Sequence, residues 1–245
     1  MPKNFKPQEP VLSIATPLNF DAQAIPIHEV CTDQPKVIAH YLDPFKLKHR
    51  FQNPPVWQPE ITDENRHVIA ADIISKRQAA GKVTRAAVLI PLLLKRDGLS
   101  VLLTQRTDHL HDHAGQISFP GGRMDPSDSD PNHTALRESE EEIGLDPQGV
   151  EIIGHLPQYL TVSGYSVTPV VGLVKPQAEY ALDAFEVADV FEVPLHFLMD
   201  PANHQVRVWE SDQGSRRFYS MPYENRFIWG ATAGMLRNLY HLLKV

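Results

Sequence analysis

The rhythm of apolar and polar positions changes several times along this chain, and each change marks an element. Ala86 to Leu94 is an almost unbroken apolar run and reads as a buried strand, Arg96, Asp97 and Gly98 supply turn chemistry, and Leu99 to Gln105 reads as a strand returning beside it. Val150 to Leu156 and Val167 to Val174 carry the β-branched content of further strands, with Val187 to Val193 and Arg216 to Met221 as weaker candidates. The period lengthens to helical spacing elsewhere. Leu136, Ser139 and Ile143 recur at i, i+3 and i+7, and Leu236, Leu239, Tyr240 and Leu243 form an apolar stripe across residues 232 to 243. A third helix is expected over residues 62 to 79, where Val68, Ile69 and Ile73 give a partial stripe. Strands interleaved with helices predict a layered α/β (α+β) domain.

The helix over residues 131 to 143 is bracketed at both ends. Asp130 is placed to cap it, Pro131 suits the first helical position, Gly144 suits a left-handed C-terminal cap, and Pro147 follows. Inside it lie Arg137, Glu138, Glu140, Glu141 and Glu142. At about 100° per residue, Glu138, Glu141 and Glu142 share one face, expected to point outward and away from the Leu136/Ser139/Ile143 side, while Glu140 points elsewhere. Like charges one turn apart cost a few tenths of a kcal/mol in an isolated helix. A bound divalent cation would offset that repulsion, and oxygen-only ligands suit Mg²⁺ or Mn²⁺ better than zinc or copper. Arg137 lies one turn before Glu141, close enough to orient it.

Composition narrows the function classes. The chain has 245 residues, 42% of them hydrophobic, enough for one substantial core plus an extension. A formal net charge of -7 argues against a general nucleic-acid binder held by phosphate attraction. Cys31 is the single cysteine, so an internal disulfide and a cysteine-rich zinc site are excluded and a reducing cytosol is expected. No apolar stretch approaches the roughly 18 residues of a membrane span, and the first ten residues lack the apolar core of a secretory signal, so a cytoplasmic location without a membrane partner is expected. Prolines crowd the first 60 residues, from Pro2 to Pro59. These residues read as an irregular extension that wraps or tethers, giving a division into an extension over 1–82 and a folded domain over 83–245.

The stretch from Gly122 to Leu145 resembles the signature of the Nudix hydrolases, a glycine, five residues, a glutamate, seven more residues and then R-E-U-x-E-E-x-G-U with U aliphatic. Arg137, Glu138, Glu141, Glu142, Gly144 and Leu145 match it; Asp128 stands at the first glutamate, the following loop is one residue longer, and Ser139 replaces an aliphatic. Immediately upstream, Leu102, Leu103, Thr104, Gln105, Arg106 and Thr107, then His111, Gly115 and Phe119-Pro120-Gly121-Gly122 are similar to an element of Nudix enzymes that hydrolyse coenzyme A. Every spacing agrees, with Thr107 in place of Ser or Ala and His111 in place of Arg. The segments 164–172, 186–195 and 227–232 extend the likeness, which covers residues 83 to 243.

The resemblance implies a Nudix-type α/β/α sandwich around a mixed sheet and a metal-dependent hydrolase of diphosphate bonds. Glu138, Glu141 and Glu142 would hold Mg²⁺ or Mn²⁺, Glu138 or Glu186 would be the general base, and Arg137 would complete the catalytic group. Arg106 and His111 would meet phosphate, and Gly121 and Gly122 would bring backbone close to ion and substrate. Asp128 supports or caps the loop, or reaches the ion. Coenzyme A or an acyl derivative is the implied substrate, with ADP-ribose or a dinucleotide as the alternative within the class and a non-catalytic nucleotide sensor outside it. A small-molecule partner and a homodimer are the expected associations. Two further features have plainer readings. His109, His111 and His113 alternate as a transition-metal site would, yet loop histidines usually serve as hydrogen-bonding groups. Phe227 and Trp229 suggest base stacking, but core packing at the start of the last helix suffices.

Overall fold

The computed structural model describes residues 21–60, 83–109, 115–161, 164–211 and 214–244. The predicted helix over 62–79, His111 and His113 lie outside the described residues. In chain order the elements are β1 Ile27–Val30, α1 Pro44–Gln52, β2 Thr84–Lys95, β3 Gly98–Arg106, β4 Ile117–Ser118, β5 Gly121–Arg123, α2 Pro131–Ile143, β6 Val150–His155, β7 Tyr159–Leu160, β8 Tyr165–Val174, β9 Val187–Pro194, the short α3 Leu195–Leu198, β10 Gln205–Ser211, β11 Gly214–Tyr223, β12 Arg226–Trp229 and α4 Gly230–Leu243.

The larger sheet runs β4-β3-β2-β8-β6, with β5 paired to β2, β7 to β8 and β9 to β3. It is mixed: β2 and β8 are parallel along their length, and the other pairs are antiparallel. The β2–β3 hairpin closes through Arg96 and Asp97, with Lys95 opposite Gly98, as the turn residues predicted. Alternation along the strands explains how one sheet serves two cores. Ala86, Ile90 and Leu92 of β2, Val101 and Leu103 of β3, and Val171 and Leu173 of β8 enter one core, which Leu236, Leu239, Tyr240 and Leu243 of α4 and Leu47 of α1 complete. Ala87, Leu89 and Leu93, with Leu102, Val170 and Val174, enter the other, which Ala135 and Ile143 of α2 cover. Helices therefore lie on both faces of a mixed sheet.

A second sheet, ordered β1-β10-β11-β12, was only partly foreseen. The weak strand at Arg216–Met221 is the middle of β11, whereas β1, β10 and β12 carried no pattern clear enough to predict them. β1 is exposed at every position and is held by pairing to β10. Residues 21–60 are also more regular than their prolines implied. Pro44 occupies the first turn of α1, where its missing N–H costs nothing, and the Asp43 side chain accepts from Phe45 and Lys46 backbone N–H groups. Trp229 and Phe227 belong to β12, and the Trp229 ring packs edge-on against Phe218 at 5.5 Å. No helix among the described residues is long and apolar enough to cross a membrane.

Candidate active site

The site forms where α2 meets the β5 turn and the end of β3. The Asp130 carboxylate accepts from the Asn132 and His133 backbone N–H groups, Pro131 opens α2, and Gly144 closes it at φ 65° with its N–H donating to the Glu140 carbonyl. The helix docks through Ala135, Ser139, Glu142 and Ile143, all buried. The expected outward triplet therefore needs correcting. The helix is rotated so that Glu142 faces the sheet at 6% exposure and Glu138 is half-buried, and only Glu141 projects into solvent. Leu136, expected in the core face, is only partly covered. Ser139 satisfies its buried hydroxyl by donating to the Ala135 carbonyl at 2.6 Å.

Gly121 and Gly122 make this arrangement sterically feasible. Gly121 has φ 146°, and a Cβ there would lie 2.4 Å from the Ala87 carbonyl oxygen, so only glycine lets β5 pair so closely with β2. Its N–H donates to Glu142 Oε2 at 3.0 Å. A Cβ on Gly122 would fall 2.5 Å from Glu138 Oε2, so this glycine leaves room for the carboxylate.

Arg137 is the structural hub of the helix. Its guanidinium forks onto buried Asp128, with Nε to Oδ1 at 3.0 Å and Nη2 to Oδ2 at 2.9 Å, and also donates to Glu141, Glu138 and the Arg123 carbonyl. Every arm of the fork is taken by protein oxygens, which makes Arg137 a positioning residue. Asp128 also accepts from Thr134 Oγ1 and the Asp125 N–H, and the bond from Arg137 above all holds its carboxyl well below the usual range. It is an anchor of the loop.

Arg106 reaches across from β3, its Nη1 3.9 Å from Glu142 Oε1 and its Nη2 3.9 Å from Glu186 Oε2. Glu186 arrives on the segment before β9, tied down by Thr107 N–H to the Glu186 carbonyl at 3.0 Å and Asp183 N–H to the Glu142 carbonyl at 2.9 Å. Burial pushes the Glu142 carboxyl up to about 7; the Gly121 N–H and Arg106 oppose the shift, while Glu186 and Glu138 add to it. Burial also raises Glu138, against its bond from Arg137. Two desolvated acids thus lie close to each other and to Glu186, and Arg106 and Arg137 offset their burial only in part.

A model of the NUDIX domain matches residues 83–213, more than half of the chain. The chain belongs to the Nudix family of hydrolases. Curated relatives named "Uncharacterized Nudix hydrolase NudL" from Escherichia coli O7:K1 and from Shigella boydii serotype 18 are each 44% identical over 156 residues, covering 63% of this chain and 80% of theirs. Among solved structures, a Caenorhabditis elegans Ap4A hydrolase binary complex is 22% identical, with a TM-score of 0.41 over 49% of this chain and 86% of that one. A MutT/nudix family protein from Enterococcus faecalis is 15% identical, with a TM-score of 0.40 over 73% and 74% of the two chains. Nudix hydrolases generally work with a divalent metal ion. The donor set here fits one, because the carboxylates offer oxygen-only ligands and outnumber the two guanidinium groups, Arg106 and Arg137, that face them. Among the described residues, no group of three or more His, Cys, Asp or Glu side chains is already drawn together around a common point. Arg137 instead occupies one oxygen each of Glu138 and Glu141. Spacing missed the anchoring role of Thr107 and the exposed Phe185 beside Glu186, since neither belongs to a periodic pattern.

Proposed function

We propose that this Nudix hydrolase cleaves the diphosphate linkage of coenzyme A or acyl-coenzyme A, giving 3',5'-ADP and (acyl-)4'-phosphopantetheine. The observation that carries the reading is the placement of Arg106 between Glu142 and Glu186, because Arg106 belongs to the segment similar to coenzyme A hydrolysing enzymes. Glu138 and Glu142, with Glu141 swinging from Arg137, would hold Mg²⁺ or Mn²⁺. When bound, such ions neutralise the diphosphate and lower the cost of charge on the leaving phosphate.

The side chains divide the remaining work. Arg106 is partly exposed and offers its guanidinium to a phosphate oxygen, exchanging its long contacts to carboxylates for closer ones. Glu186 is the better placed of the two candidate bases. Its side chain is 43% exposed and open to an attacking water, whereas one Glu138 oxygen is already occupied by the bond from Arg137. Water attacks one phosphorus, its proton passes to the Glu186 carboxylate, and the bond to the bridging oxygen breaks to release two phosphate monoesters. The Gly121–Gly122 turn keeps side-chain bulk out of this space.

Purified chain with Mg²⁺ or Mn²⁺ is expected to release 3',5'-ADP from coenzyme A. Efficient cleavage of ADP-ribose or a dinucleotide with no 3',5'-ADP from coenzyme A overturns the substrate assignment. His111 favours that second reading, since it stands where the coenzyme A pattern has Arg.

A further inference from the structure

Phe185 is 65% exposed, although it sits in one of the most firmly tied segments of the site. Its N–H donates to Asp183 Oδ1 at 2.9 Å, its carbonyl accepts from Thr107 Oγ1 at 2.8 Å, and the Thr107 N–H bonds the carbonyl of the next residue, Glu186, at 3.0 Å. Asp183 is in turn bonded to the carbonyl of Glu142. The segment is therefore fastened to both β3 and α2, the two elements that carry Arg106 and the helix carboxylates. The His109 ring lies against one side of Phe185, with centroids 5.0 Å apart and planes tilted by 58°.

A phenyl ring left in water gains none of the stabilisation it would have in the core. Here the backbone bonds fix where it stands and His109 limits how it turns, so its ordering cost is met before any ligand arrives. Its surroundings do not suit a protein partner. Asp183 and Glu186 are charged neighbours in sequence, Asp108 adjoins His109, and one aromatic ring is far smaller than an apolar interface patch. A flat ring one residue from Glu186 does suit the flat base of a nucleoside whose diphosphate lies among the carboxylates. The ribose supplies the short offset between the two.

We propose that Phe185, backed by His109, is the stacking platform for the base of a nucleoside diphosphate substrate, and so a specificity-determining residue. The inference rests on the reading of this site as a nucleoside diphosphate hydrolase centre. Thr107 fits the same account. Its hydroxyl anchors the Phe185 carbonyl, which an alanine at the same place in the coenzyme A pattern would not do.

The test is a binding comparison on the full chain with Mg²⁺, titrating ADP and, separately, inorganic pyrophosphate into wild type, Phe185→Ala and Phe185→Trp by calorimetry. A base stacked on an aromatic side chain loses affinity when that side chain is truncated. ADP Kd is therefore expected to rise roughly tenfold in Phe185→Ala and to recover in Phe185→Trp, with pyrophosphate Kd unmoved. An unchanged ADP Kd in Phe185→Ala overturns the inference, as does a parallel loss of ADP and pyrophosphate affinity. Wild type that binds ADP no more tightly than pyrophosphate overturns it too. This readout needs no turnover, so it stays distinct from the coenzyme A hydrolysis assay that tests the substrate assignment.

Discussion

Glu142 shows how burial of a single carboxyl works against the stability of the charged form. Its carboxyl is 6% exposed and raised to about 7, so folding disfavours its charged form. For a raised carboxyl the sign is clear: metal-free native protein loses stability as pH climbs from the unfolded value near 4.5 through about 7. Glu142→Gln keeps the shape, keeps an oxygen to accept from Gly121, and removes the charge. In chelator at pH 8 this variant is expected to be more stable than wild type by up to about 3 kcal/mol, measured by urea unfolding. With Mg²⁺ present it is expected to lose at least about 100-fold in kcat. A variant that retained full turnover would remove Glu142 from the site. The motif placed this residue correctly on α2, but its burial depends on the angle at which the helix docks, and spacing alone does not fix that angle.

The elements decide how closely these side chains meet. α2 was legible in full, from the Asp130 cap and Pro131 to the left-handed Gly144, because capping chemistry is local. The β5 turn was legible only as a glycine pair; the structure gives each glycine a separate role. Gly121→Ala would force a side chain at φ 146° into the β2 backbone, with its Cβ 2.4 Å from the Ala87 carbonyl. We expect it to cost more than about 2 kcal/mol and to lower activity through the lost alignment of the Gly121 N–H with Glu142. Thermal melts and kcat together check this, and a stable, fully active Gly121→Ala protein would contradict the geometry. β1, β10 and β12 escaped the sequence reading for the opposite reason. Short strands such as β1, exposed at every position, have no apolar alternation to betray them, and pairing with a neighbour is what makes them strands.

At the scale of the molecule, a buried polar knot joins residues 31–60 to α4. Arg237 is fully buried and donates to Glu60, Gln34 and His204, with Tyr219 and Tyr240 rings 4.8 Å from its guanidinium carbon. Burial would raise Glu60, but its bonds from His241 and Arg237 prevail and lower it to about 2. His204 donates from Nε2 to the Leu198 carbonyl at 2.7 Å and accepts at Nδ1 from Arg237 at 2.9 Å, an arrangement that requires the neutral ring. Burial and Arg237 accordingly lower it to about 4. The unfolded chain binds this proton near pH 6.5 and the folded chain only near 4, so stability falls as pH drops through that window, by up to about 3 kcal/mol. Glu60 adds a further loss from about 4.5 down to about 2. Because Glu142 acts in the opposite direction, the profile is best followed by urea unfolding of the Glu142→Gln protein between pH 7 and 4, with NMR reporting the His204 ring. An imidazole titrating near 6.5 in the folded state would contradict the buried knot.

The sequence by itself determined the principal strands of the larger sheet, the capped ends of α2, the family and the residues of its charged motif, because apolar runs, helix caps and motif spacing are local properties of the chain. Tertiary structure alone decided that Glu142 turns inward while Glu141 stays in water, that Arg137 forks onto Asp128, and that Arg106, Phe185 and Glu186 gather beside α2. It also decided that Glu60 meets Arg237. Those facts arise from contacts between segments far apart in the chain, where docking angle and burial set the chemistry of each group.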